Sequence, residues 1–337
     1  MLNFWKDKKV LITGINGFVG GNLAKKLTTL GANIFGLVRI RNRKSLLFFE
    51  KIDRSISLFY GDINDKELLI KIITEQKIDI IYHLAAQVEV QTALINPYLT
   101  FDSNIRGTYT ILDAAHLSRH KIKAIIFASS DKSYGSYPDK FLPYKESYDL
   151  RPKYPYEVSK ACGDLIAKCY SIKPYYLPIV ICRFANIYGP GQLNFSALVP
   201  NLIQTYYGYS NFVPRSNGLQ IRDYIFVDDV IDLYLTIAKE LYLKPKKLSG
   251  QIFNCGNNKK INARKVVKII FYKHKKNKLL KILKLMKNRK AIGEINKQYM
   301  DYKKVYKFFK WKPKTNFQDG IEKAKNWYQN YLKKIHF

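Results

Sequence analysis

Along the first half of the chain, short unbroken apolar runs alternate with segments whose apolar residues recur every three or four positions. Lys9-Val10-Leu11-Ile12-Thr13 reads as a buried strand, followed by a glycine-rich turn and a helix to about Leu30. Asn33 to Val38 and Ile56 to Tyr60 read as the next two strands. Asn64 stands where an N-cap would, with Glu67 in the capping-box position, and opens a helix whose apolar face carries Leu68, Leu69, Ile72 and Ile73. Further strands are predicted at Ile78–His83, Ala124–Ser129 and Pro178–Phe184, with helices starting near Asn96-Pro97 and near Pro155. Strands that alternate with helices need right-handed crossovers. The expected fold class is therefore α/β, a doubly wound parallel sheet.

After Phe184 the rhythm breaks. Gly189-Pro190-Gly191 has loop chemistry, and the segment to Gly218 reads as aromatic and irregular. Tyr224–Val227 and Ile252–Cys255 look like short strands returning to the core; a Lys-rich helical stretch, Leu279–Met286, and a final helix from Asp319 follow. No internal repeat is visible. The expected division is one unit from 1–184 and 219–256, interleaved with a smaller C-terminal unit from 185–218 and 257–337.

Composition narrows the classes. With 47% apolar and 25% charged residues among 337, the chain can bury a substantial core, which excludes low-complexity disorder and disulfide-stapled miniature folds. No stretch approaches the roughly 20 uncharged apolar residues of a membrane span. Trp5-Lys6-Asp7-Lys8-Lys9 is charged and runs straight into a strand, so no signal peptide is expected. Four cysteines (Cys162, Cys169, Cys182, Cys255) without CxxC spacing predict a reduced cytoplasmic location and no structural metal. The 58 Lys+Arg exceed 26 Asp+Glu to give a net charge of +32, and 241–293 holds 17 basic residues without one carboxylate. Such a field suits an anionic partner: a nucleotide diphosphate, nucleic acid or a membrane surface. A general Lys-rich compositional bias accounts for it equally, so charge alone assigns no function.

Thr13-Gly14-Ile15-Asn16-Gly17-Phe18-Val19-Gly20 lies between the first strand and helix. Gly14 permits a tight turn, Gly17 lets backbone approach a pyrophosphate, and Gly20 lets helix and strand pack closely; the helix N-terminus supplies free N–H groups. Gly14, Asn16, Gly17, Phe18 and Val19 are thus expected to hold a dinucleotide. Strand two ends in Val38-Arg39-Ile40-Arg41-Asn42-Arg43, with guanidinium groups where a carboxylate would hold a ribose diol. Arg39 therefore favours NADP over NAD, unless these arginines only share the general basic excess. Asp62 and Ile63, after strand three, are placed to meet the adenine.

Tyr156 and Lys160, four residues apart, share one helical face. An ammonium beside a phenol is expected to lower the phenol's pKa toward neutrality and make it a base for a hydroxyl whose carbon is being oxidised. Ser130 would hydrogen-bond the same oxygen.

Together these features resemble the extended short-chain dehydrogenase/reductase family over nearly the whole chain. His83-Leu84-Ala85-Ala86-Gln87, Asn104, Arg183-Phe184-Ala185-Asn186-Ile187-Tyr188-Gly189-Pro190, Gln220-Ile221-Arg222-Asp223-Tyr224 and Trp311-Lys312-Pro313 also match it. The resemblance implies a Rossmann domain with a small C-terminal domain, and nucleotide-sugar epimerase or dehydratase activity. It further implies cofactor contacts from Leu84, Ala85, Ala86 and Asn104, and substrate contacts from Gln87, Asn186, Arg215 and Arg222. A homodimer built on the helix carrying Tyr156 and the preceding helix is implied as well.

Ser130-Asp131-Lys132 bears on the reaction. A 4-epimerase needs only oxidation at C4 and return of hydrogen to the other face. A 4,6-dehydratase must also remove the C5 proton and expel the C6 hydroxyl, which calls for an additional acid and base. Asp131 and Lys132 supply such a pair. The triplet resembles the dehydratase branch, where Ser/Thr-Asp-Glu is usual, and its Lys variant is most like CDP-glucose 4,6-dehydratases. The product would be an NDP-4-keto-6-deoxyhexose. A lysine must be neutral to act as base, so Lys132 is either the C5 base or a structural partner of Asp131. The expected partner is a nucleotide-diphosphate sugar, with no nucleic acid and no membrane span. A 4-epimerase is the alternative; a 4-ketoreductase and a non-catalytic dinucleotide binder with a basic face lie further off. The base, the hexose and the pathway stay open, with deoxysugars for surface polysaccharides the usual destination.

Overall fold

A computed structural model describes residues 2–272, 274–287, 289 and 295–335. The apolar runs form β1 (Lys9–Thr13), β2 (Asn33–Val38), β3 (Ser57–Tyr60), β4 (Ile80–His83), β5 (Ala124–Ser130) and β6 (Ile179–Phe184). Past them come β7 (Asn186–Tyr188), β8 (Ile221–Arg222), β9 (Tyr224–Phe226), β10 (Ile252–Cys255), β11 (Ile261–Asn262) and β12 (Lys297–Gln298). A seven-stranded parallel sheet runs in the order β10-β6-β5-β4-β1-β2-β3. β7 pairs with β9, and β8 lies between β11 and β12.

Both faces of the central strands are covered, which is why the middles of β1, β4 and β5 are apolar on both sides. Val10 and Ile12 point to one side, against Leu23 and Leu27 of helix Phe18–Thr29 and Leu233 and Ile237 of helix Val227–Leu243. Leu11 points to the other, against Ile72, Ile111 and Ala167 from helices Lys66–Glu75, Gly107–Leu117 and Pro155–Tyr170. Each such side chain contributes about 1.5–3 kcal/mol by leaving water. Strand order reverses between β1 and β4, which opens a crevice at the carboxyl ends of the strands.

Several expected details differ. The cap of helix Lys66–Glu75 is Asp65, whose Oδ1 accepts from Leu68 N at 3.0 Å. Asp62 Oδ1 accepts from Asn64 N at 2.9 Å, and that turn moves the helix start one residue on; the Asn64 amide instead donates to Asp102 Oδ2 at 2.8 Å. Val227 begins a helix rather than ending a strand. The segment expected to be irregular contains helix Leu198–Tyr207, whose Pro200 is tolerated because it sits in the first turn, where no intrahelical N–H is needed. The Lys-rich helix spans Lys276–Lys287, and the last spans Phe317–Ile335. Of the basic stretch, Lys273, Asn288 and 290–293 lie outside the described residues.

β10 returns after a long excursion to pair with β6, Ile252 opposite Ile181 and Cys255 opposite Phe184. Helix Phe317–Ile335 then fastens both lips of the crevice. Tyr331 Oη donates to Lys44 O at 3.0 Å and Trp327 Nε1 to Glu50 Oε1 at 2.7 Å on one lip, while Tyr328 Oη donates to Gln192 O on the other.

Candidate active site

The crevice has a volume of about 1330 Å³ and runs from the loop after β1 to the end of β5. Its first end is made of backbone. Gly14 has φ +71°, and a Cβ there would stand 2.7 Å from Ala85 N. A Cβ on Gly20 would overlap the Gly14 carbonyl oxygen. These two glycines therefore let β1, the loop after β4 and helix Phe18–Thr29 converge. Gly17 caps that helix, whose first turn has no acidic residue, so its free N–H groups and positive dipole end face the crevice unopposed. Asn16 Nδ2 donates to Ile40 O at 3.1 Å, and its buried Oδ1 has no partner among the described residues. Such a cradle fits a pyrophosphate.

Phe18 and Val19 line this end, as do Leu84, Ala85 and Ala86 after β4 and Asp62 and Ile63 after β3. Arg39, Arg41 and Arg43 line the lip and are exposed; Arg41 lies over the Phe48 ring at 5.0 Å.

Beneath the loop after β4 a hydrogen-bond chain sets the floor. Thr13 Oγ1 lies 2.8 Å from His83 Nδ1, and His83 Nε2 lies 3.2 Å from Thr108 Oγ1. Thr108 donates to Asn104 O at 2.6 Å, so it accepts from Nε2–H. Burial, with Lys160 nearby, holds His83 down at about 3. Asn104 was expected at the cofactor; it does not line the crevice. It is buried, accepts from Gln87 N at 2.7 Å, and donates to Gln87 O and Ser159 Oγ, both at 2.9 Å. Its action is to pin the loop that forms the floor.

The second end is made of side chains. Ser130, Asp131, Lys132, Tyr156 and Lys160 all line it. Proline at the first turn and Glu157, which accepts from Tyr154 N at 3.3 Å, start helix Pro155–Tyr170 so that Tyr156 and Lys160 face β5. Lys160 Nζ donates to Ala128 O at 3.0 Å. Burial lowers Lys160 to about 8, with Asp164 pulling it upward. The expectation for Tyr156 is reversed: burial pushes the phenol up to about 12, a hydrogen bond with Ser130 opposes this, and Asp131 adds to it. Desolvation is the largest cause, and the ammonium one turn away is turned to the Ala128 carbonyl.

Ser130 Oγ donates to Asp131 Oδ1 at 3.2 Å. Asp131 is only 2% exposed, and its Oδ2 has no hydrogen-bond partner among the described residues. Lys132 Nζ donates to Gln298 Oε1, a fully buried amide on β12. The Gln298 Nε2 is buried with no partner among the described residues, and the Tyr144 hydroxyl donates to Gly135 O at 2.7 Å. Nearby Asp223 accepts from Asn257 N and Asn258 N, both at 2.9 Å, yet burial raises it to about 7, with Asp131 adding to the rise. Gln298 and Asp223 were not foreseen as site residues; no local spacing links 298 to 132.

Gln87, Asn186 and Arg215 line the crevice, whereas Arg222 lies outside its lining, with Nη1 donating to Ile221 O at 2.8 Å. Asn186 Nδ2 donates to Asp223 O at 3.0 Å. Gln192, also unforeseen, lines the crevice with a buried Oε1 that has no partner among the described residues. Among the described residues no group of three His, Cys, Asp or Glu could hold a metal, and no helix is long and apolar enough to cross a membrane.

Residues 11–324 match the family model described as GDP-mannose 4,6 dehydratase. The chain is 28% identical to human dTDP-D-glucose 4,6-dehydratase over 96% of its own length and 90% of that protein. It superposes on a Bacillus anthracis dTDP-glucose 4,6-dehydratase in complex with NAD with a TM-score of 0.79 and 24% identity, covering 97% of this chain and 98% of that one. A Thermotoga maritima UDP-glucose 4-epimerase with UDP-glucose gives a TM-score of 0.81 at 23% identity, over 96% of this chain and 99% of that one.

Proposed function

The chain belongs to the GDP-mannose 4,6 dehydratase family of the extended short-chain dehydrogenases/reductases, and on that premise we propose that it converts an NDP-hexose, CDP-glucose-like, to the NDP-4-keto-6-deoxyhexose. The observation that carries this reading is Asp131: a buried carboxyl with one oxygen bonded to Ser130 and the other unpartnered beside Tyr156. A 4-epimerase has no use for an acid there.

The backbone from Gly14 to Val19, with Asn16, would hold the pyrophosphate of a nicotinamide dinucleotide. Asp62 and Ile63 would meet its adenine, Leu84, Ala85 and Ala86 its central part, and Lys160 its nicotinamide ribose. Arg39 favours NADP over NAD, since no carboxylate stands on that lip before Glu50. When bound, the dinucleotide supplies oxidation at C4 of the sugar and reduction at C6. Tyr156 takes the C4 hydroxyl proton. The chain from Tyr156 through Ser130 to Asp131 gives that proton a route to the acid that protonates the departing C6 oxygen. Lys132, oriented by Gln298, stands as the C5 base; Asn186, Gln87, Arg215 and Arg222 hold the substrate.

We assign 1–184 and 219–256 to the cofactor and 185–218 and 257–337 to the nucleotide sugar. Exposed Tyr109 and Leu117 on one helix and Leu165 on the Tyr156 helix support a homodimer across these two helices. Four free thiols fit a reducing cytoplasm, with deoxysugars for polysaccharides as the product's destination.

The test is a mass-spectrometric screen of NDP-hexoses in deuterated water. Loss of one water with deuterium at C5, abolished in Asp131→Asn, is expected. Recovery of intact hexose inverted at C4 would instead establish the epimerase.

A further inference from the structure

The helix Lys276–Lys287 divides its lysines between two jobs. Lys278, and Lys275 just before the helix, turn inward: Lys278 Nζ donates to Thr205 O at 2.6 Å and Lys275 Nζ to Tyr206 O. These carbonyls belong to the last turn of helix Leu198–Tyr207, where a cation is favoured. With Leu279, Ile282 and Met286 buried below, the helix is fastened to the body by one face.

The opposite arc carries Lys276, Lys281, Lys284 and Lys287, all exposed. None of the four makes an ion pair or a side-chain hydrogen bond among the described residues, although elsewhere surface lysines find carboxylates, as in Lys25–Glu50 and Lys244–Glu240. Between these cations stand two leucines, Leu280 at 65% exposure and Leu285 at 46%. At 100° per residue, Leu280 falls between Lys284 and Lys287, and Leu285 falls beside Lys281. The cations are also crowded: Lys278 is held below its ordinary value by burial and then by Lys275 and Lys281. A solvated surface helix normally mixes both charge signs and spares its outer arc such leucines.

From this arc we infer a docking surface for anionic lipid: the helix Lys276–Lys287 seats this protein peripherally on a negatively charged membrane, lysines at the headgroups and Leu280 and Leu285 dipping between them. Charge complementarity supplies the attraction, and the leucines choose lipid over nucleic acid. Lysines can pair with the phosphates of a nucleic acid too, but exposed leucines gain nothing there, and this arc lacks the arginine forks and stacking aromatics that engage bases. Lysine stems extend along the apolar boundary while their ammonium groups stay wet. The inference does not depend on the reaction proposed above.

Sedimentation of the full chain with phosphatidylcholine vesicles, with and without a third of phosphatidylglycerol, tests it. Binding to the anionic vesicles only is expected, falling steeply with salt. Lys281→Glu with Lys284→Glu should weaken it at least about tenfold, and Leu280→Ser with Leu285→Ser about threefold or more. These side chains are exposed and none of them lines the crevice, and an unchanged circular dichroism spectrum will certify the fold. No preference for anionic vesicles overturns the inference. So does binding duplex DNA as tightly as lipid with no effect of the leucine changes, which would leave a general polyanion surface.

Discussion

The two ends of the crevice are built from different materials. At the cradle, Gly14, Gly17 and Gly20 make a site out of main-chain groups, and what matters is that side chains are absent. At the β5 end, Asp131, Lys132, Tyr156 and Lys160 make a site out of buried and half-buried ionisable groups, each depending on its neighbours. Backbone donors have fixed charge and tolerate pH. Buried acids and ammonium groups take whatever protonation their surroundings allow, and here burial moves Tyr156, Lys160 and Asp223 strongly. One end is a matter of space, the other of solvation.

That contrast is sharpest in Tyr156→Phe and Asp131→Asn. Each should lower turnover by about 10²–10⁴-fold while leaving dinucleotide affinity, read by calorimetry, unchanged. An equal loss of affinity would erase the distinction between the ends. Gly20→Ala should behave oppositely. Its methyl would meet the Gly14 carbonyl, costing about 1–3 kcal/mol, visible as a lowered melting temperature and weaker dinucleotide binding, with turnover restored at saturating cofactor. A smaller effect is expected from pH. Lys160 keeps its ammonium below about 8 and loses it above. The alkaline limb of kcat/KM should therefore lie near 8, with up to about a tenfold fall per unit. Asp164→Asn removes the group that raises Lys160, so the limb should move to lower pH. The smallest change is expected at the lip, where Arg39→Ala should shift the ratio of NADP to NAD affinity by about five- to tenfold toward NAD. Equal loss for both cofactors would return the arginine to the general basic excess.

The same contrast explains what could be read in advance. The cradle is contiguous in sequence and set between a strand and a helix, so three glycines sufficed to place it. Tyr156 and Lys160 are one helical turn apart, and Ser130-Asp131-Lys132 are adjacent, so these also declared themselves. What escaped was whatever depends on distance along the chain. Gln298 meets Lys132 across 166 positions, and Asp223 meets the 257–259 backbone through a fold that no spacing announces. The phenol's upward shift escaped because the i, i+4 spacing of Lys160 is visible in a string of letters, while the burial that raises the phenol is not. Asn104 and Arg222 matched family motifs, yet one pins a loop and the other lies outside the crevice lining. A motif marks a neighbourhood more reliably than a contact.

The late return of β10 has a consequence for how the protein is made. While the chain is leaving the ribosome, β6 must wait with one flank open until the whole of 185–251 has been synthesised. That flank belongs to a fully buried strand, Ile-Val-Ile-Cys-Arg-Phe, the sort of edge that invites a stray strand from another nascent chain. Fragments ending just after β6 should therefore be insoluble, and those extending past β10 less so. Release of the last sheet partner is thus the step at which a growing polypeptide stops being a hazard to its neighbours.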